Sequence, residues 1–225
     1  MLIQGQVGPV SGLDGSQLTL RQNRSGELMV SELHGRFYEQ AYRGSLFSGG
    51  MTTTSINAAT FTSATTGVTA TPIAGVYNPL SSSVNLVILQ ATLTVGITAL
   101  QATGGGPYVW MASTGNGAIT TGAQPYSRKT LTAAGSSAKN MAGVALTGMT
   151  GTLAIVGGSS LGGGSSVAAA FLGTAVGMHT QMMGFVENLD GSIIVPPGGV
   201  LALMATTTPV AHSAASSILW EEVPI

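Results

Sequence analysis

The chain has 225 residues, a length that one β-sandwich or barrel domain with an appendage accounts for. Charged residues are 7% of it, where a globular protein carries about 25%; cysteine is absent and the net charge is −1. These values exclude a disulfide scaffold, thiolate metal sites and a cysteine nucleophile, leave no basic face for nucleic acid, and require that lipid or other protein cover much of the surface.

Charge falls into three blocks. Residues 1–43 hold Arg21, Arg24, Arg36 and Arg43 against Asp14, Glu27, Glu32 and Glu39. Residues 44–186 hold only Arg128, Lys129 and Lys139, and the remainder holds Glu187, Asp190, Glu221 and Glu222. The pattern predicts an N-terminal arm or small β segment over residues 1–50 and a low-charge body over 51–225. Within the arm, residues 17–21 and 27–33 alternate on either side of Asn23-Arg-Ser-Gly26, a hairpin signal. Residues 36–43 then concentrate Arg36, Phe37, Tyr38, Tyr42 and Arg43. Such side chains either fill a core from an amphipathic strand or form an arm that docks a partner, because Tyr, Phe and Arg dominate interfaces. The low charge of the body favours docking.

Residues 45–70 read as a linker or weak strands. Residues 83–95 are the clearest long strand, and their apolar phase shifts near Ile88, which predicts a bulge. Residues 107–112, 151–156 and 179–186 are further strands. Residues 192–195 lead through Pro196-Pro-Gly-Gly199, suited to a type II turn, into residues 200–204. In the last strand, 216–224, Ile218, Trp220 and Glu222 share one face, and Leu219, Glu221 and Val223 the other. Trp220 is expected inward, Leu219 and Val223 against a neighbouring subunit, and Pro224 at the end of the ladder. Only residues 167–176 hint at a helix. The sum is an all-β protein, a β-sandwich or jelly-roll-like body.

Membrane spans are not expected. Residues 140–186 are uncharged, but the Gly-Ser run at 157–166 interrupts any helix of spanning length, and the aromatics form no repeating girdle. Met1-Leu-Ile-Gln-Gly-Gln-Val-Gly-Pro9 lacks the basic and apolar regions of a signal peptide.

Catalytic groups are sparse. No acid lies between Glu39 and Glu187, and Glu221 and Glu222 point to opposite faces of a strand. His34, His179 and His212 are isolated. Ser136-Ser-Ala-Lys139 fits the S-x-x-K string of serine acyl-enzymes without its companion elements, and the glycine run at 157–164 lacks a phosphate-loop lysine. The reading is therefore a non-enzyme with no catalytic, cofactor or metal residues. The candidate interface residues are Arg36, Phe37, Tyr38, Tyr42, Arg43, Leu219 and Val223. A receptor- or glycan-binding module is the alternative from another class, with Trp110 and Trp220 as its aromatic platforms.

Four segments carry a resemblance: Glu32-Leu-His-Gly-Arg-Phe-Tyr-Glu-Gln-Ala-Tyr-Arg-Gly44, Tyr77-Asn-Pro-Leu-Ser-Ser-Ser-Val-Asn-Leu-Val-Ile-Leu89, Val195-Pro-Pro-Gly-Gly-Val-Leu-Ala-Leu203 and Leu219-Trp-Glu-Glu-Val-Pro-Ile225. Together, over roughly a fifth of the chain, they resemble virion structural proteins of tailed bacteriophages. The resemblance implies a β-rich particle component, assembled in the host cytoplasm and resident in the virion, with no active residues to carry over. A homotrimeric capsid decoration (cement) protein contacting the major capsid protein or another virion protein is the leading expectation. A tail, collar or fibre component is the runner-up. No nucleic-acid or membrane partner is expected.

Overall fold

The computed structural model describes residues 5–6, 20–21, 36–53, 64–65, 71–97, 108–117, 119, 122–159, 181–205 and 212–225. The chain divides into two compact units, Met1–Glu39 and Gln40–Ile225. In the smaller, strands β1 (Gly5–Gln6) and β2 (Leu20–Arg21) pair in parallel. Thus β2 coincides with the end of the strand expected at 17–21, while the second arm of the expected hairpin, 27–33, lies outside the described residues.

Tyr38–Arg43 is a short helix, α1, with no buried residue, so the core-filling strand that was one of the two readings of residues 36–43 does not form. Glu39 in its first turn and Arg43 in its last complement the helix dipole, and Glu, Gln, Ala and Arg are all good helix formers.

The larger unit is built from β3 (Leu46–Thr53), β4 (Ala64–Thr65), β5 (Ala74–Tyr77), β6 (Val84–Ile97), β7 (Tyr108–Ser113), β8 (Tyr126–Ser127), β9 (Lys139–Asn140), β10 (Leu153–Ser159), β11 (Gln181–Val195), β12 (Val200–Ala205) and β13 (His212–Pro224). One sheet has the order β11-β6-β13-β3-β8, the other β4-β10-β7-β12-β5-β9. The eight longer strands pair first with last: β3 with β13, β5 with β12, β6 with β11 and β7 with β10. Those nested antiparallel pairs are one long hairpin wrapped into two facing sheets, a jelly roll. The expected all-β sandwich is what forms. Because β3 is an interior strand of the five-stranded sheet, residues 46–50 belong to the body and not to the arm.

Two cores result. Phe47, Leu86, Ile88, Leu93, Ile218 and Trp220 of the five-stranded sheet meet Val76, Tyr108, Trp110, Leu201 and Leu203 of the other. On the far side of the six-stranded sheet, Met111, Leu153, Val200, Ala202 and Met204 are covered by Met141, Leu146 and Met149. The phase shift near Ile88 is a bulge: β13 pairs Leu219 with Gln90 and Trp220 with Ile88, which leaves Leu89 outside the ladder. Pro196-Pro-Gly-Gly199 is a type II turn: Gly198 has φ +76°, and Gly199 N–H donates to Pro196 C=O at 2.8 Å.

Candidate functional site

The strands run lengthwise, and one end of the sandwich collects α1, the turns at 78–83, 114–117, 128–137 and 196–199, and the last residues of β13. Local sequence closes each piece. Gly44 follows α1 with φ +81°, and its N–H donates to Ala41 C=O while Ser45 N–H donates to Gln40 C=O, both at 3.1 Å. This pair of bonds is a Schellman cap, which favours glycine at the left-handed position. Ser45 then ties the helix to β13: its C=O accepts from Glu222 N–H at 2.9 Å, and its hydroxyl donates to Glu221 Oε1 at 3.3 Å.

Two buried asparagines fix the turns. Asn78 Nδ2 donates to Val84 C=O at 2.8 Å and Val195 C=O at 3.0 Å. Asn116 Nδ2 donates to Gly198 C=O at 3.1 Å, and its Oδ1 accepts from Gly151 N–H at 2.8 Å. The Asn78 Nδ2 group and both polar atoms of the Asn116 amide therefore supply bonds that the loops cannot supply to one another, while Asn78 Oδ1 is buried without a partner among the described residues. Ser82 and Ser137 hydroxyls bond at 3.1 Å, Ser136 Oγ donates to Glu222 Oε1, and Ile225 N–H donates to Ser83 C=O at 3.1 Å.

This stitched end displays apolar groups. Tyr42, Tyr126, Leu80, Leu131 and Ile225 are all exposed, Leu131 at 74%. Leu131 has φ +56°, an outlier for a bulky side chain, and the turn beneath holds it there. Leu131 N–H donates to Ser127 C=O at 2.9 Å, Ser127 N–H to Thr132 C=O at 3.0 Å, and Thr130 and Thr132 hydroxyls bond at 2.7 Å. Lys129 Nζ lies 5.3 Å from the Tyr42 ring centroid, a cation–π distance. Sequence reasoning missed Leu131 and Tyr126. The available signal was Arg128-Lys129 alone in a long charge-poor stretch.

The sequence-predicted residues are dispersed. Arg36 is exposed and its guanidinium lies 5.2 Å over the half-buried Phe37 ring. Tyr38, Tyr42 and Arg43 are exposed on α1. Leu219 is already buried within a single chain, whereas Val223 is 37% exposed. Trp110 and Trp220 are both buried, so neither can be the aromatic platform that a glycan-binding reading assigns them. Trp110 Nε1 donates to Glu187 Oε2 across the two sheets at 2.7 Å.

Ser136 and Lys139 take different hydrogen-bond partners. The string leads through irregular chain into β9, and Lys139 Nζ donates to Gln124 Oε1 at 3.4 Å. Among the described residues no three His, Asp or Glu side chains gather as metal ligands. His34 and His179 lie outside those residues, as do residues 160–164 of the glycine run and residues 167–176. No helix among the described residues is long and apolar enough to cross a membrane. No family model, curated protein or solved structure matches the chain.

Proposed function

We propose that this chain is a structural component of a tailed-phage particle: a capsid decoration protein that stabilises the shell by protein–protein contact, working as a homotrimer. The observation that carries the reading is the stitched end of the sandwich. There a rigid framework holds tyrosines, leucines and two cations in the open, on a chain whose charge content is 7%. Exposed apolar groups on a fixed frame mark contact surface, and little of the binding energy is then lost to ordering them. The jelly roll adds a fold-level analogy, since viral capsid domains share that architecture. The segments resembling phage virion proteins include α1 and both turns that Asn78 and Gly198 fix.

The experiment is quantitative gel analysis of particles purified from the encoding phage. A copy number comparable to that of the shell protein supports decoration, and a small fraction of it moves the chain to the collar or tail. Absence from the particle sinks the reading. Purified protein carrying Leu80→Asp, a change at the exposed turn outside residues 128–131, should also bind stripped shells more weakly than the parent.

A further inference from the structure

The five-stranded sheet ends in two unlike edges, β8 and β11. Beyond β8 the chain turns through Arg128, Lys129 and Leu131, all exposed, and these hold two of the three charges between residues 44 and 186. β11 bulges between Asn188 and Ile193, where Asp190 is exposed with φ +50°. Val186 and Ile194, on either side of the bulge, are 61% and 56% exposed. One edge is a basic apolar knob, the other an acidic bulge flanked by two apolar side chains.

The pairing registers connect the end of β8 to the bulge of β11 along two rows. Tyr126 pairs with Ser48, Ser48 with Leu219, Leu219 with Gln90 and Gln90 with Asn188. The next row runs from Ser127 through Phe47, Trp220 and Ile88 to Ile193. The knob therefore leaves β8 at the end of the rows that reach the bulge, about 19 Å along the sheet across four strand spacings. A knob and a bulge on opposite edges can meet only between different copies of the chain, and each copy then offers its other edge to the next.

We infer that the Arg128–Lys129–Leu131 knob docks on the Asp190 bulge of a second copy of this chain, closing a head-to-tail ring. The contact is heterologous, so it is not limited to a dimer and forms a ring where the rotation between copies closes. Charge of opposite sign fixes the register of docking. The bulge breaks the outer hydrogen-bonding row of β11, so the joint is made by side chains and continued strand pairing is blocked. The inference deepens the oligomer in the reading above and does not depend on the particle.

Sedimentation velocity of the full chain at micromolar concentration tests it. The parent should be a closed oligomer. R128E/K129E and D190K should each weaken association about tenfold or more, and the triple variant, with both charges reversed, should recover it. Leu131→Ser, a neutral change on the same knob, should weaken it without touching charge, and circular dichroism checks that each variant is folded. A monomeric parent, reversal variants that associate like the parent, or a triple variant that stays dissociated would each overturn the ring. Shell binding is measured separately: a ring without shell binding fails the particle reading alone, and shell binding by a monomer fails the ring alone.

Discussion

The two sheets solve the same burial problem differently. In the six-stranded sheet β12 is buried at every position from Val200 to Ala205, because Leu201 and Leu203 enter the core between the sheets while Val200, Ala202 and Met204 enter the methionine-lined core outside. In the five-stranded sheet the outward rows, among them Thr52, Thr94 and Ala215, or Thr92, Ser217 and Val186, have no such cover. Its residues are small and neutral, and Thr92 and Ser217 hydroxyls bond at 2.7 Å across β6 and β13. A sheet covered on both faces reads as a run of apolar residues, whereas one open on a face alternates. Both sheets thus supply the shared core, and only the covered one adds a second core on its far side.

Trp220→Ala should produce the largest loss, since Trp220 is fully buried where the two sheets meet. About 3–5 kcal/mol is expected for such a truncation, from a domain stability of about 5–15 kcal/mol. Urea unfolding measures it, and a loss below about 1 kcal/mol would show that the shared core does not hold the sheets together.

Neighbouring positions sharpen the contrast. Leu203→Ala and Met204→Ala, adjacent on β12 but in different cores, should each cost about 2–5 kcal/mol. Leu93→Ala on β6 should match them, while Thr94→Ala beside it stays within about 0.5 kcal/mol. Similar losses at Leu93 and Thr94 would mean that the open face is covered after all.

Asn116→Ala tests the turns that both sheets share. It leaves Gly151 N–H without its acceptor and Gly198 C=O without its side-chain donor, so a loss of about 1–3 kcal/mol is expected. Asn116→Asp keeps the acceptor but sets a buried carboxylate oxygen against Gly198 C=O, so it should lose at least as much at neutral pH.

The smallest effect concerns pH. Burial holds the Tyr108 hydroxyl above its ordinary value of 10.0. The folded chain thus keeps that proton more tightly than the unfolded one, and stability declines as pH rises past the unfolded value. Tyr108→Phe should flatten the decline above about pH 10 and leave stability at neutral pH nearly unchanged. An identical slope in the variant would assign the decline to other groups.

Local chemistry alone specified a good part of this protein. Alternation marked the long strands β6 and β13, the phase shift at Ile88 marked the bulge at Leu89, and Pro-Pro-Gly-Gly marked the type II turn. Each depends on neighbours within a few residues, so the sequence carries it directly. At 36–43 it offered a core strand or a docking arm without showing the helix α1, and it placed Trp220 inward, as the structure does, while leaving Trp110 open as a platform. Strand order, the methionine cover at 141–149 and the rows that join the end of β8 to the β11 bulge were decided only by the tertiary structure. Those features join residues tens of positions apart, and a pattern confined to one segment contains no term for which distant segment it meets.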